Sequence, residues 1–189
     1  MRKIVVGLFM SLDGVVEGPG PQDAFERAGW TMPYFTPEIG QIIGEITASS
    51  DALLLGRVTY QGFESSFASQ SGGMADVLNN QLKYVVSTTL KTATWNNSKL
   101  INEHVVEEIT RLKQQPGKDI SVSGSIMLVQ TLMEHHLIDE CSLLLYPVTV
   151  GAGRRLFKDG SAMKTLKLVE AKPTSSGVVH LRYQLENKA

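Results

Sequence analysis

Three stretches of this sequence join an apolar run to a glycine and then to groups that bind anions. In Ile120-Ser121-Val122-Ser123-Gly124-Ser125-Ile126-Met127, a strand-like run passes through a glycine directly into a helix-like run. A pyrophosphate could lie on the amides of Gly124, Ser125, Ile126 and Met127 with no side chain in its path. The same pattern also suits an ordinary tight turn capped by Ser125. In Leu53-Leu54-Leu55-Gly56-Arg57-Val58-Thr59-Tyr60, an apolar run stops at Gly56 and is followed by a guanidinium and a hydroxyl. Arg57 can grip a phosphate through two parallel N–H donors while Thr59 adds a hydrogen bond. As a plain surface helix, the segment would instead show a solvated Arg57 and Thr59 as a cap. The third stretch, Lys83 to Lys91, ends a strand-like run with Ser87, Thr88 and Thr89, which suits a ribose phosphate.

Other chemistry-bearing residues are sparse. Asp13 follows the first apolar run and precedes Gly14, so it is either a proton donor at a strand end or half of an Asp-Gly turn. Glu17 is the reserve acid. Trp30, Met32, Tyr34 and Phe35 surround Pro33, able to cover a flat ring or to anchor a long loop. His135 and His136 are adjacent, so on a helix they diverge by about 100° and cannot easily share a metal. No ligand cluster stands out and no metal is expected. There is no Gly-x-Gly-x-x-Gly after the first strand and no Gly-Lys-Ser/Thr, while Gly151-Ala152-Gly153-Arg154-Arg155 lacks a third glycine.

The elements that must position these residues follow from the apolar pattern. Strand-like runs at residues 3–10, 52–55, 84–87, 120–123 and 141–150 are rich in Val, Ile and Leu without clean alternation, as in strands buried on both faces of a parallel sheet. Helices are expected from Thr36-Pro37-Glu38 to about residue 49, from 104 to 114 with a stop at Pro116-Gly117, and from Ser125 to about residue 135. A further helix opens after Gly56, and residues 65–73 read as a loop. Residues 164–171 and 178–186, separated by Lys172-Pro173-Thr174-Ser175-Ser176-Gly177, read as an antiparallel hairpin. The expectation is one α/β domain over residues 1–189: three layers, a mainly parallel central sheet with helices on both faces, and a C-terminal antiparallel β-hairpin.

Composition narrows the function classes. The chain has 189 residues, with 18 Lys and Arg against 19 Asp and Glu, so its net charge of −1 gives no basis for binding nucleic acid or an anionic membrane. Any anion must be held locally. Residues 1–10 read as a first strand rather than a signal peptide, because Ser11-Leu12-Asp13-Gly14 follows instead of a cleavage site. Cys141 is the single cysteine, which fits a reducing cytoplasm.

Taken in order, Ser11-Leu12-Asp13-Gly14, Leu55-Gly56-Arg57-Val58-Thr59-Tyr60, Val122-Ser123-Gly124-Ser125 and Leu145-Tyr146-Pro147-Val148 leading to Gly151-Ala152-Gly153 resemble the dihydrofolate-reductase-like family. They are similar above all to the reductase domain of riboflavin-biosynthesis deaminase-reductases. The resemblance covers nearly the whole chain and implies NADPH as cofactor and often a homodimer. It places Gly56, Arg57 and Thr59 at the cofactor phosphates, Ser87 and Thr88 on the adenosine ribose side, and Gly124, Ser125, Ile126 and Met127 at the pyrophosphate. It further implies reduction of a small heterocycle, such as a ribosylamino-pyrimidine or a dihydrofolate-like ring; for the proton, Asp13 is the choice because it follows the first strand at the same sheet edge as the phosphate sites. Dihydrofolate reductases carry a downstream Arg for the folate carboxylate, whereas Asn79-Asn80-Gln81-Leu82-Lys83 supplies none. Two other classes stay open: a nucleotide-binding module without turnover, and an interaction protein whose late strand and hairpin serve dimerisation.

Overall fold

The computed structural model describes residues 1–185. Its strands are β1 (Ile4–Ser11), β2 (Ser50–Gly56), β3 (Leu82–Val86), β4 (Ser98–Ile101), β5 (Asp119–Val122), β6 (Glu140–Tyr146), β7 (Leu166–Pro173) and β8 (Val179–Leu185). Its helices are α1 (Pro37–Ala48), α2 (Arg57–Phe67), α3 (Gly73–Asn80), α4 (Val105–Gln114) and α5 (Ile126–Glu134). The strands form one sheet in the order β4-β3-β2-β5-β1-β6-β8-β7. Strands β1 to β6 run parallel, and β8 is antiparallel to both β6 and β7.

The apolar runs become strands because both of their faces are covered. In β2, Leu54 joins the core formed with α4 and α5, whereas Leu53 and Leu55 join the core formed with α2 and α3 on the opposite face. In β6, Cys141 and Leu143 face the α4/α5 side, and Leu144 and Tyr146 pack beneath α1. The result is three layers, with α1, α2 and α3 on one face and α4 and α5 on the other. Cys141 is a buried core residue whose thiol is pushed up to about 12 by burial and by neighbouring Glu140.

Local chemistry sets the helix ends. Thr36 caps α1 by accepting from the Ile39 amide at 3.4 Å, Pro37 occupies the first turn, and Glu38 reaches Ser175 N at 3.0 Å. Helix α4 buries Ile109 and Leu112, and Lys113 crosses to Asp139 at 2.6 Å.

Several elements differ from the sequence reading. Strand β6 stops at Tyr146 rather than reaching residue 150, because Pro147 has no N–H for the ladder and the Val148 carbonyl turns to accept from Leu12 N at 2.8 Å. Helix α2 runs to Phe67, into the segment expected as a loop. Helix α3 and strand β4 were not anticipated: α3 begins on a glycine and ends on two asparagines, and β4 is four residues on the sheet edge. The hairpin pairs Leu166–Pro173 with Val179–Leu185, and the expected end at Glu186 lies outside the described residues.

Candidate active site

The three anion-binding stretches end three adjacent parallel strands, β3, β2 and β5, and so meet at one sheet edge. The β2–α2 and β5–α5 turns touch directly. The Gly56 amide donates to the Gly124 carbonyl at 3.0 Å. A Cβ on Gly56 would lie 2.2 Å from Ser125 Oγ and 2.8 Å from Ser125 Cβ, and one on Gly124 would lie 2.7 Å from Thr59 Oγ1. Gly124 also has a φ of +128°, which a side chain would strain.

Helices α2 and α5 start at this junction with their first-turn amides free of side-chain caps. They are the two described α-helices with neither a side-chain cap nor an acidic residue in the first turn. The others carry Glu38, Asp76, or Glu107 and Glu108 there. Two helix N-termini without compensating charge therefore converge on one spot, a cradle suited to a pyrophosphate.

The remaining residues of this group divide. Arg57 is exposed at the start of α2 and bonds Gln61 at 3.2 Å, leaving most of its guanidinium free. Ile126 turns its side chain into the core while Met127 points outward, so only their amides serve the junction. Ser87 is buried, and its oxygen accepts from the Thr89 amide at 3.2 Å and the Leu90 amide at 2.9 Å, closing the turn after β3. Thr88 is exposed beside it.

Asp13 sits in a closed network of hydrogen bonds. Its carboxylate accepts from Ser11 Oγ at 2.6 Å, from Val150 N at 3.0 Å and from Gly151 N at 2.8 Å. These bonds, led by the one from Ser11, hold its carboxyl at about 2. These bonds make the carboxylate an acceptor that ties the Ser11–Gly14 turn to residues 150 and 151. Glu17 is occupied in the same way. It accepts from Arg154 Nε at 2.9 Å and from the Arg154 amide at 2.8 Å, and these bonds lower its carboxyl below the ordinary range.

These contacts clasp residues 12–35 to residues 148–158. Arg155 Nε donates to the Asp13 carbonyl at 2.9 Å and Arg27 donates to the Val150 carbonyl, while Trp30 Nε1, donating to the Glu17 carbonyl at 2.8 Å, braces the first segment internally. A cleft of about 410 Å³, lined by Met10, Leu12, Asp13, Gly14, Arg155 and Phe157, opens beside the clasp. The aromatic group is split: Trp30 and Tyr34 pack edge-on against Tyr146, whereas Met32 and Phe35 are exposed. His135 and His136 are exposed at the end of α5, away from the junction. Sequence reasoning missed Ser11, Arg154 and Arg155. The Gly151-Ala152-Gly153-Arg154-Arg155 run was their signal, since its glycines at φ +77° and +97° form the turn that receives Asp13.

Comparison with known proteins agrees with this architecture. The chain is 29% identical over 187 residues to the uncharacterized protein YyaP of Bacillus subtilis (strain 168), covering 96% of this chain and 94% of that one. Its fold is similar to a pyrimidine reductase-like protein from Corynebacterium diphtheriae, with a TM-score of 0.70, 12% identity, and coverage of 99% of this chain and 93% of that one. It is also similar to dihydrofolate reductase from Enterococcus faecalis, solved with NADP(H), with a TM-score of 0.64, 15% identity, and coverage of 98% and 97%. The family model for the RibD C-terminal domain matches residues 2–180. The chain has a reductase-type fold and belongs to the RibD C-terminal domain family.

Proposed function

We propose that this protein is an NADPH-dependent reductase that transfers a hydride to a small heterocycle, of the ribosylamino-pyrimidine or dihydrofolate-like class. The observation that carries the reading is the convergence of two uncapped, acid-free helix N-termini where Gly56 and Gly124 leave no room for a side chain. The amides of Gly124, Ser125, Ile126 and Met127 hold the pyrophosphate, with Gly56 and Thr59 closing it from the α2 side. Arg57 meets the 2′-phosphate that distinguishes NADPH from NADH, and Thr88 together with the Ser87 hydroxyl borders the ribose. The bound cofactor supplies the hydride, and the chain supplies position and shelter from water.

Asp13 acts as a positioning residue: it fixes Val150 and Gly151, which extend the clasp beside the cleft. One observation favours a second reading, a nucleotide-binding module without turnover: Asp13, the carboxyl that lines the cleft, is already engaged by Ser11, Val150 and Gly151.

Thermal shift with NADPH and NADH separates these readings. A ligand at about 100 times its dissociation constant adds roughly 2.7 kcal/mol of stability. A preference for NADPH that Arg57→Gln abolishes, followed by NADPH oxidation with a pyrimidine, pteridine or flavin acceptor, establishes the reductase. Binding without turnover on any of these acceptors establishes the module. No shift with either nucleotide overturns both.

A further inference from the structure

A second cavity, of about 550 Å³, lies on the α5 side of the sheet, at the opposite end of that helix from the phosphate cradle. Its lining takes in Glu134 and His136, and the run from Ile126 to Glu134 sets it about 12 Å from the cradle. Met133 and Leu156, both buried, form an apolar floor with Leu166 and Leu185 of the β7–β8 pair, and the exposed side chains of Phe157 and Met163 complete it. The charges around this floor are unequal. Glu134 is the one acid among the described lining residues, and Lys158 pairs with it at 3.1 Å. Lys164 also lines the cavity, is half-buried, and has no acidic partner among the described residues. The His136 ring adds a hydrogen-bonding edge to the same lining.

We infer that this cavity binds an apolar monocarboxylate, with its body on the floor and its carboxylate on Lys164, and that its occupancy is felt in the cleft beside Asp13. The lining selects the charge: an anion meets the unpaired Lys164, whereas a cation meets only a carboxylate already taken by Lys158. The floor selects an apolar body, whose removal from water supplies most of the binding. Volume selects its size. A water-sized group occupies about 30 Å³, so the cavity holds roughly 18 such groups, enough for a carboxylate of about 8 to 14 carbons. Met133 and Met163 are flexible thioethers that adapt to such a body. The link to the cleft is structural. Phe157 lines both the 550 Å³ cavity and the 410 Å³ cleft. Gln130, in the cavity lining, donates to the Arg155 carbonyl at 3.0 Å and to the Leu156 carbonyl at 3.3 Å, and Arg155 lines the cleft and holds the Asp13 carbonyl. A body seated against Leu156 and Phe157 therefore bears on the segment that walls the cleft. That this makes the cavity an effector site of an enzyme rests on the reductase reading, whereas the binding does not.

Decanoate, decanol and decyltrimethylammonium vary only the head group, and their titration into protein with isotope-labelled methionine methyls and glycine amides, followed by NMR, tests the inference. The expected result is a saturable shift of the Met133 and Met163 methyls with decanoate, which binds about 5-fold tighter than decanol and tighter still than the cation. Lys164→Gln should weaken decanoate by about the same factor and leave decanol unchanged. Ala162→Trp, which fills the cavity from its exposed wall, should abolish both; if it does not fold, Lys164→Gln decides. The Gly14 amide, in the cleft lining, should move along the same saturation curve as the methyls. No saturable methyl shift with decanoate overturns the site, as does equal binding of decanol or of the cation, or decanoate binding indifferent to Lys164→Gln. A silent Gly14 amide beside shifting methyls overturns the link to the cleft. Binding to phosphatidylglycerol vesicles without any response to dissolved decanoate would assign the face to a membrane and also overturn the site. Loss of the NADPH thermal shift in the wild type would remove the cofactor reading and leave the carboxylate site standing.

Discussion

Replacing Gly56 by Ala isolates the phosphate cradle from the rest of the fold. Gly56 has φ −78° and ψ 159°, a region open to any residue, so alanine brings no backbone strain of its own. Its only new atom is a Cβ, placed 2.2 Å from Ser125 Oγ, 2.8 Å from Ser125 Cβ and 3.0 Å from Ser125 N. The hydroxyl can rotate away, but Cβ and the amide are fixed to the backbone, so the β2–α2 and β5–α5 turns must move apart. Overpacking of this kind costs roughly 1–3 kcal/mol. If half or more of that falls on the geometry of the bound pyrophosphate, NADPH affinity drops about 3- to 100-fold. Calorimetric titration of NADPH into the wild type, Gly56→Ala, Ser125→Gly and the double variant measures the coupling. Ser125→Gly removes the two nearest obstacles, so it should recover much of the loss in the double variant, giving a clearly non-additive cycle. A folded Gly56→Ala protein that binds NADPH as tightly as the wild type would refute the assignment of this junction to the cofactor phosphates.

Three further outcomes follow from single side chains. Asp13→Asn turns one of the carboxylate's acceptor positions into a donor facing an amide, so it should cost about 1–2 kcal/mol of stability while leaving NADPH affinity intact. Unchanged stability with lost turnover would instead return Asp13 to the role of acid. Lys83 is fully buried, its amine bonding the carbonyls of Gln81 at 2.8 Å and Asn96 at 3.0 Å above the Trp95 ring, and burial pulls it down to about 8. Between pH 8 and its ordinary value of 10.5 the unfolded chain holds more of this proton, so stability should rise with pH in that window. The Tm difference between the wild type and Lys83→Met should therefore grow from pH 8 to 10.5, and a flat difference would mean that the carbonyls and Trp95 fully offset the burial. The Tyr146 hydroxyl is buried without a partner, so Tyr146→Phe should keep the ring's edge contacts and raise stability by about 1 kcal/mol, or ~2–4 °C in a melt.

Continuous burial is a local property, and for that reason β1, β2, β3 and β5 were legible as strands and the turns at Gly56 and Gly124 as openings into helices. Strand β4 and helix α3 escaped because a four-residue edge strand and a helix made of Gly-Met-Ala-Asp-Val-Leu-Asn-Asn carry almost no periodic signal. Asp13 shows the other limit. Its identity, its turn and the nearby Ser11 were evident, but the two amides that its carboxylate also binds lie 137 and 138 residues away along the chain. The aromatic cluster failed similarly: only the position of Tyr146 decides that Trp30 and Tyr34 turn inward while Met32 and Phe35 do not.

The placement of β1 also constrains how the molecule assembles. It lies between β5 and β6, pairing Ile4 with Ile120 and Val6 with Cys141. During synthesis, Ile-Val-Val-Gly-Leu-Phe-Met therefore leaves the ribosome as a bare strand whose two neighbours do not yet exist. The middle of the sheet can close only after about three quarters of the chain has emerged, which makes folding a slow, long-range event. Until then that segment is open to chaperones and to mispairing with another chain.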